Sequence, residues 1–189
     1  FLDLSTAEVD ENEELINLEF KSKKINKKFH EGPLCFSPDK KTVYYTRNNM
    51  SSGNKRRDTE GIQNLKIYIS NINEEGKWIN EREFPLNSKD YSVGHPTISA
   101  DGKILYFVMD KPGGLGGSDI YKIKINEDGT FENVENMGNK INTEGQEIFP
   151  WVSSDDLLFF SSDGHLGLGG LDVFVMLPNK DGSFRKLMN

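Results

Sequence analysis

Cysteine, histidine and long apolar runs are all scarce in this sequence. Cys35 is the single cysteine among 189 residues, so neither an internal disulfide nor a cysteine-built metal site can form. Such usage suits a cytoplasm, or a periplasm where disulfides are not needed for stability. The apolar runs, Leu157 to Phe160 among them, are far too short to span a bilayer. The opening Phe1-Leu2-Asp3-Leu4 has no basic region followed by an apolar stretch, so no signal peptide is visible and the start reads as mid-protein sequence. Basic residues are outnumbered, 23 against 30 acidic, for a net charge of −7. That balance excludes general nucleic-acid binding, which needs a basic face. The one basic cluster, Lys55-Arg56-Arg57, is followed by Asp58 and Glu60 and reads as a solvated loop tip.

What is plentiful is glycine, 18 residues, and it is not scattered. "KPGGLGGSDIY" (Lys111 to Tyr121) and "GHLGLGGLDVF" (Gly164 to Phe174) share one pattern. Gly116-Gly117-x-Asp119 recurs as Gly169-Gly170-x-Asp172, 53 residues later. A phosphate-binding loop would need Gly-x-x-x-x-Gly-Lys-Ser/Thr running into a helix. Here no lysine stands in that place and the glycines join two strands. Repetition at a fixed period points to architecture.

Three further segments align on Ser37, Ser99 and Ser153: Gly32 to Thr46, Gly94 to Val108 and Ile148 to Ser162. Each carries Ser-x-Asp (Asp39, Asp101, Asp155), a turn in which the carboxylate accepts backbone N–H groups two residues on. Each then enters a short aromatic and β-branched burst, too short for a helix. The continuous apolar character of these bursts means both faces of the strand are covered. A third strand follows at Leu65 to Ser70, Ile120 to Ile125 and Val173 to Leu177, with Phe1 to Leu4 as the tail of an earlier one. Polar hairpins come next at Asn73, Asn126 and Asn179, where Asp128-Gly129 and Asp181-Gly182 supply positive φ. A fourth strand leads to the connectors Ile25-Asn26, Leu86-Asn87 and Ile141-Asn142.

Four strands per period without an amphipathic helix predict an all-β fold: a β-propeller of four-stranded antiparallel blades. About three and a half blades are expected in an incomplete ring, at residues 1–28 (the end of a blade), 29–90, 91–144 and 145–189. More blades of a longer polypeptide, or a partner, are expected to cover the open faces.

Laid out in this way, "HEGPLCFSPDKKTVYYTRNN" (His30 to Asn49), "GGSDIY" and "GGLDVF" resemble the WD-like Pro-Asp β-propeller repeats of OmpA-family, peptidoglycan-associated envelope proteins of Bacteroidetes. The resemblance runs from about Phe20 to Asn189. It implies a lipoprotein or outer-membrane-associated protein on the periplasmic face, with outer-membrane components as partners, in type IX secretion or a related complex. Peptidoglycan would be reached only through a domain outside these residues. The sequence departs from the pattern at Ala100-Asp101 and Ser154-Asp155, which replace Pro-Asp. It departs again in the first repeat, where Asn48 to Asn64 forms an insert and Lys66 replaces the repeat aspartate.

Candidate chemistry is thin. His30, His95 and His165 show no ligand spacing. Ser37, Ser99 and Ser153 lack the Gly-x-Ser-x-Gly elbow. Asp39, Asp101 and Asp155 are copies of one turn residue, separated by the repeat. Asp119 and Asp172 are open to two readings: bracing their own loops through backbone N–H groups, or binding Ca²⁺ with loop carbonyls. The structural roles therefore fall to Asp39, Asp101, Asp155, Gly116, Gly117, Gly169 and Gly170, with no cofactor expected. The chain is expected to be a non-catalytic protein-interaction module. The alternative is the propeller of a glycan-active enzyme, or one gating an attached peptidase.

Overall fold

The computed structural model describes residues 3–20, 26, 30–48, 50–51, 54–55, 61–179 and 184–189. The turn at Asp181-Gly182, Ile25 of the first connector and Arg56-Arg57 of the basic cluster lie outside the described residues. Every regular element among those described is a strand. β1 (Ser5–Val9) and β2 (Leu15–Phe20) form a hairpin. The first blade comprises β3 (Glu31–Phe36), β4 (Thr42–Asn48), β7 (Leu65–Ile72) and β8 (Trp78–Glu83). Its insert carries the small pair β5 (Met50–Ser51) and β6 (Asn54–Lys55). The second blade is β9 (Val93–Ile98), β10 (Ile104–Met109), β11 (Asp119–Ile125) and β12 (Phe131–Asn136). The third is β13 (Glu147–Val152), β14 (Leu158–Ser162), β15 (Asp172–Pro178) and β16 (Phe184–Met188). Each of these three is an antiparallel meander in chain order, as expected for a propeller blade.

The second strand of each blade is its apolar centre. On β4, Tyr44 turns to the seam with the second blade while Val43 and Tyr45 pack on the opposite face with Tyr68. On β10, Leu105, Phe107 and Met109 join the first blade, and Tyr106 and Val108 join the third. Phe84 meets Phe107 edge-on across the first seam, with centroids 5.2 Å apart. Ile120 and Ile141 meet Leu158, Phe160, Phe174 and Met176 across the second. Each fully buried side chain of this kind contributes about 1.5–3 kcal/mol, so the seams hold the blades together. Packing runs from first to second to third blade, and the ring is not closed.

The Ser-x-Asp turns form as read in two copies. Ser37 donates its hydroxyl to Asp39 (2.6 Å) and accepts the Thr42 N–H (2.9 Å). Ser99 does the same with Asp101 (2.7 Å) and Ile104 (3.0 Å). These serine hydroxyls, followed by the Lys41 and Lys103 N–H groups, hold both carboxyls below their ordinary range. The third copy differs. Asp155 is exposed, while Asp156 takes the left-handed turn position at φ 59° and accepts the Ala100 N–H from the second blade at 3.1 Å.

The connector asparagines have a role that the sequence reading did not give them. Asn87 accepts the Ile67 N–H (3.0 Å) and donates to the Ile67 carbonyl (2.7 Å). Asn142 clamps Ile120 with bonds of 2.8 and 2.9 Å, and Asn26 clamps Leu4 with 2.8 and 2.9 Å. Each amide acts as a surrogate strand residue just beyond the fourth strand, where backbone groups would otherwise be left unpaired. Leu4 therefore corresponds to Ile67 and Ile120, and its strand β1 runs on through Ser5–Val9. Of the expected tail at Phe1 to Leu4, Phe1 and Leu2 lie outside the described residues; the strand that follows, Ser5–Val9, is polar and mostly exposed and lacks the apolar signature of its counterparts.

Candidate functional site

The three leading strands β3, β9 and β13 converge on an open cavity of about 650 Å³. Each is bulged: its register slips at Glu31/Leu34 on β3, opposite Tyr106/Val108 on β9, and at Ile148/Trp151 on β13. Pro33, Pro96 and Pro150 lie in these bulges. Proline cannot donate to a ladder and is tolerated at such interruptions and on edge strands. The bulges place His95 and Phe149 at φ 52° and 53°, a conformation that costs a non-glycine residue roughly 1–2 kcal/mol.

That strain is held by contacts between blades. His95 donates its N–H to Thr46 Oγ1 at 2.8 Å. Its Nδ1 accepts the Phe149 N–H at 3.3 Å, and its ring stacks on Phe149 with centroids 4.2 Å apart. The acceptor role at Nδ1 places the ring proton of neutral His95 on Nε2. Burial depresses the His95 pKa to about 4, so the ring is neutral at pH 7. Val152 N–H reaches Thr97 Oγ1 at 3.2 Å, a second bond between the second and third blades.

The cavity wall is apolar and aromatic. It includes Phe36, Phe149 and Trp151, whose exposures of 41%, 48% and 57% are large for aromatic rings in a folded chain. Its polar members are hydroxyls, Thr97, Ser99, Ser153 and Ser154, and among the described residues no charged side chain lines it. Cys35 also lines it, but desolvation pushes its thiol pKa well up, which disfavours the nucleophilic thiolate. Sequence reading missed these aromatics because it searched the shared columns of the repeat. The signal lay in columns that differ: Pro33, His95 and Phe149 occupy equivalent places, as do Cys35, Thr97 and Trp151.

The predicted site residues lie elsewhere, in the loops between second and third strands. Asp119 is fully buried. It accepts N–H groups of Leu115 (2.6 Å) and Gly116 (3.1 Å) and the Asn136 side-chain amide (2.8 Å). Asp172 accepts the N–H groups of Leu168 (2.7 Å) and Gly169 (3.1 Å). Gly116 and Gly117 lie against the segment that leads into the third blade. Gly117 donates to the Gly145 carbonyl at 2.8 Å, and a Cβ on Gly116 would collide with the carbonyls of Thr143 and Gly145. Gly169 and Gly170 have φ 116° and 69° with open space around them. Among the described residues no group of three or more His, Cys, Asp or Glu is placed to hold a metal.

Among the described residues, the histidines and the repeat serines are not gathered into a catalytic group. His165 Nε2 lies 2.8 Å from the Ile141 carbonyl, its ring against Phe160 and Phe174, while His95 is engaged by Phe149. Ser37 and Ser99 are committed to their turn aspartates, and Ser153 accepts the Leu157 N–H at 3.1 Å.

No family model matches this chain, and no curated protein does. Solved structures do. Puromycin hydrolase superposes with a TM-score of 0.52 at 14% identity, over 84% of this chain and 23% of that one. A mutant of it complexed with PGG gives 0.52 and 14%, over 82% and 22%. The α-L-arabinofuranosidase Arb93A from Fusarium graminearum, with an iminosugar inhibitor, gives 0.45 and 12%, over 80% and 51%. The chain thus spans less than a quarter of the length of puromycin hydrolase. The likeness to that enzyme corrects the expectation of a non-enzyme. That expectation leaned on an absence of chemistry within the repeats and on the family resemblance, yet the same blade architecture is found in a solved hydrolase. Propellers carry catalysis as readily as binding, since function resides in sites grafted on the fold.

Proposed function

We propose that this chain is the propeller of a hydrolase, with the axial cavity receiving apolar or aromatic amide substrates and the bond-breaking groups supplied outside these blades. The observation that carries the reading is the cavity wall: three part-exposed aromatic rings, three prolines in bulges and, among the described residues, no charged side chain. Ligand sites are concave and mostly apolar, with few polar groups that fix orientation, and this wall fits that description. The likeness in fold to puromycin hydrolase supports the same direction. A glycan-active propeller is the weaker reading, because glycoside hydrolysis generally uses a pair of carboxyl groups flanking the scissile bond and the wall supplies none.

The reading is tested by fluorescence of Trp151 in a Trp78→Phe background, since these are the two tryptophans. N-acetyl-phenylalanine amide and short apolar peptide amides are expected to change the signal saturably, with Kd between about 10 μM and 1 mM. Trp151→Ala or Phe36→Ala should abolish binding, followed for the former by calorimetry. No binding by these amides, or saturable binding of xylan or arabinan oligosaccharides instead, would overturn the proposal.

A further inference from the structure

We propose that the glycine loop of the third blade, residues 166–171, with Val173 beside it, is a docking site for the leading segment of another blade of this repeat. Its ligand is an extended peptide of the Ile-Asn-Thr-x-Gly-x-Glu type. The inference is independent of the hydrolase reading and rests on an internal template. The equivalent loop of the second blade is already occupied by such a segment, Ile141 to Glu147.

In that template the segment is held by backbone bonds and by two side-chain amides, Gln146 and Asn142. Gly117 donates to the Gly145 carbonyl and Glu147 donates to the Ser118 carbonyl, both at 2.8 Å. Ser118 and Gln146 form a parallel bridge, and their side chains are hydrogen-bonded. Asn142 clamps both backbone polar groups of Ile120. The segment's own shape is set by Glu147, fully buried, which accepts the Thr143 N–H and hydroxyl at 2.7 Å each and the Ser162 hydroxyl at 2.6 Å.

The third blade presents the corresponding receptor without its occupant. Leu168, Leu171 and Val173 correspond to Leu115, Ser118 and Ile120. They are 97%, 51% and 63% exposed, against 45%, 8% and 0% for their counterparts. Leu166 is also almost wholly exposed. Asp172 organises the loop through Leu168 and Gly169 as Asp119 does through Leu115 and Gly116. Gly169 and Gly170 stand at positive φ where Gly116 and Gly117 do not, so docking includes a backbone adjustment at this pair, which glycine permits at little steric cost. What covers the loop in the second blade is therefore the pattern for what covers it in the third. An extended segment that adds to free backbone groups is a recurring mode of peptide recognition.

The test uses the whole chain and a blocked synthetic peptide of residues 137–152. Hydrogen exchange is followed at 166–173 and, as internal control, at 113–120, where the covalently attached segment already sits. The peptide should bind saturably and slow exchange at 166–173 while leaving 113–120 unchanged. A peptide with leucine in place of Asn142 loses the two-bond clamp and should bind at least about tenfold more weakly. A chain variant Val173→Pro, which lacks the N–H equivalent to the one that Asn142 accepts from Ile120, should weaken it similarly while circular dichroism stays unchanged. No protection at millimolar peptide would overturn the proposal. So would concentration-dependent dimerisation that protects 166–173 in the absence of peptide, because a second copy would then be the occupant.

Discussion

The second and third blades carry one motif in two settings. In the second, Gly116-Gly117-Ser118-Asp119 closes onto the segment that follows it, Asp119 is buried with three hydrogen bonds, and Ile120 is inaccessible to solvent. In the third, Gly169-Gly170-Leu171-Asp172 keeps the aspartate's two backbone bonds, but its glycines turn to positive φ, Asp172 is part-exposed and Val173 stands mostly in solvent. The sequences are nearly interchangeable, so the difference comes from the neighbour. A propeller loop of this type is ordered by the blade after it, and its aspartate only sets the turn.

The largest expected effect compares the two residues beside the aspartates. Ile120→Ala should destabilise the chain by about 3–4 kcal/mol, as for other buried aliphatics. Val173→Ala should cost less than about 0.5 kcal/mol, as exposed positions do. Chemical denaturation of both variants measures this, and equal losses would break the comparison. The aspartates come next. Asp119→Ala leaves two part-buried backbone N–H groups and the Asn136 amide without their acceptor and should cost about 1–3 kcal/mol, against about 0.5–1 kcal/mol for Asp172→Ala.

A third prediction sharpens the seam at the axis. His95 has a folded pKa of about 4, below its unfolded value near 6.5. The unfolded chain therefore binds the proton more readily, and stability present above pH 6.5 is lost as pH falls toward 4. The loss should reach roughly 2 kcal/mol, after allowance for partial exposure. Denaturation midpoints between pH 7 and pH 4.5 should fall in the parent chain and fall less in His95→Asn, a residue that tolerates positive φ. The smallest effect concerns calcium. With both Asp119 oxygens engaged by N–H donors, millimolar Ca²⁺ should move the melting temperature by less than about 1 °C. A rise of several degrees, removed by Asp172→Ala, would revive the metal reading.

How far the sequence could be read follows from what repeats. Strand order, turns and blade plan were legible because Ser37, Ser99 and Ser153, the hairpin glycines and the GGxD loops recur in register. The apolar burst of β14 predicted cover on both faces, and here the structure differs: Leu158 and Phe160 are buried while Phe159 is only partly so, since burial on the far face depends on a neighbour. The cavity was illegible because Phe149 and Trp151 occupy columns that do not repeat, while Phe36 stands in an apolar column shared with Ile98 and Val152, which reads as ordinary strand. The clamp asparagines Asn26, Asn87 and Asn142 were visible as a pattern. Their role could not be read, because a side-chain amide that replaces a strand residue acts on a partner about 20 residues away.

If the following segment, and not the loop's own sequence, orders each glycine loop, the two loops must differ in how readily they open. Amide hydrogen exchange of the free chain tests this directly, with Leu115 to Ile120 compared against Leu168 to Val173. The second-blade loop should exchange at least ~100-fold more slowly, as expected when opening requires breaking a packed seam. Equal protection of the two loops would contradict it.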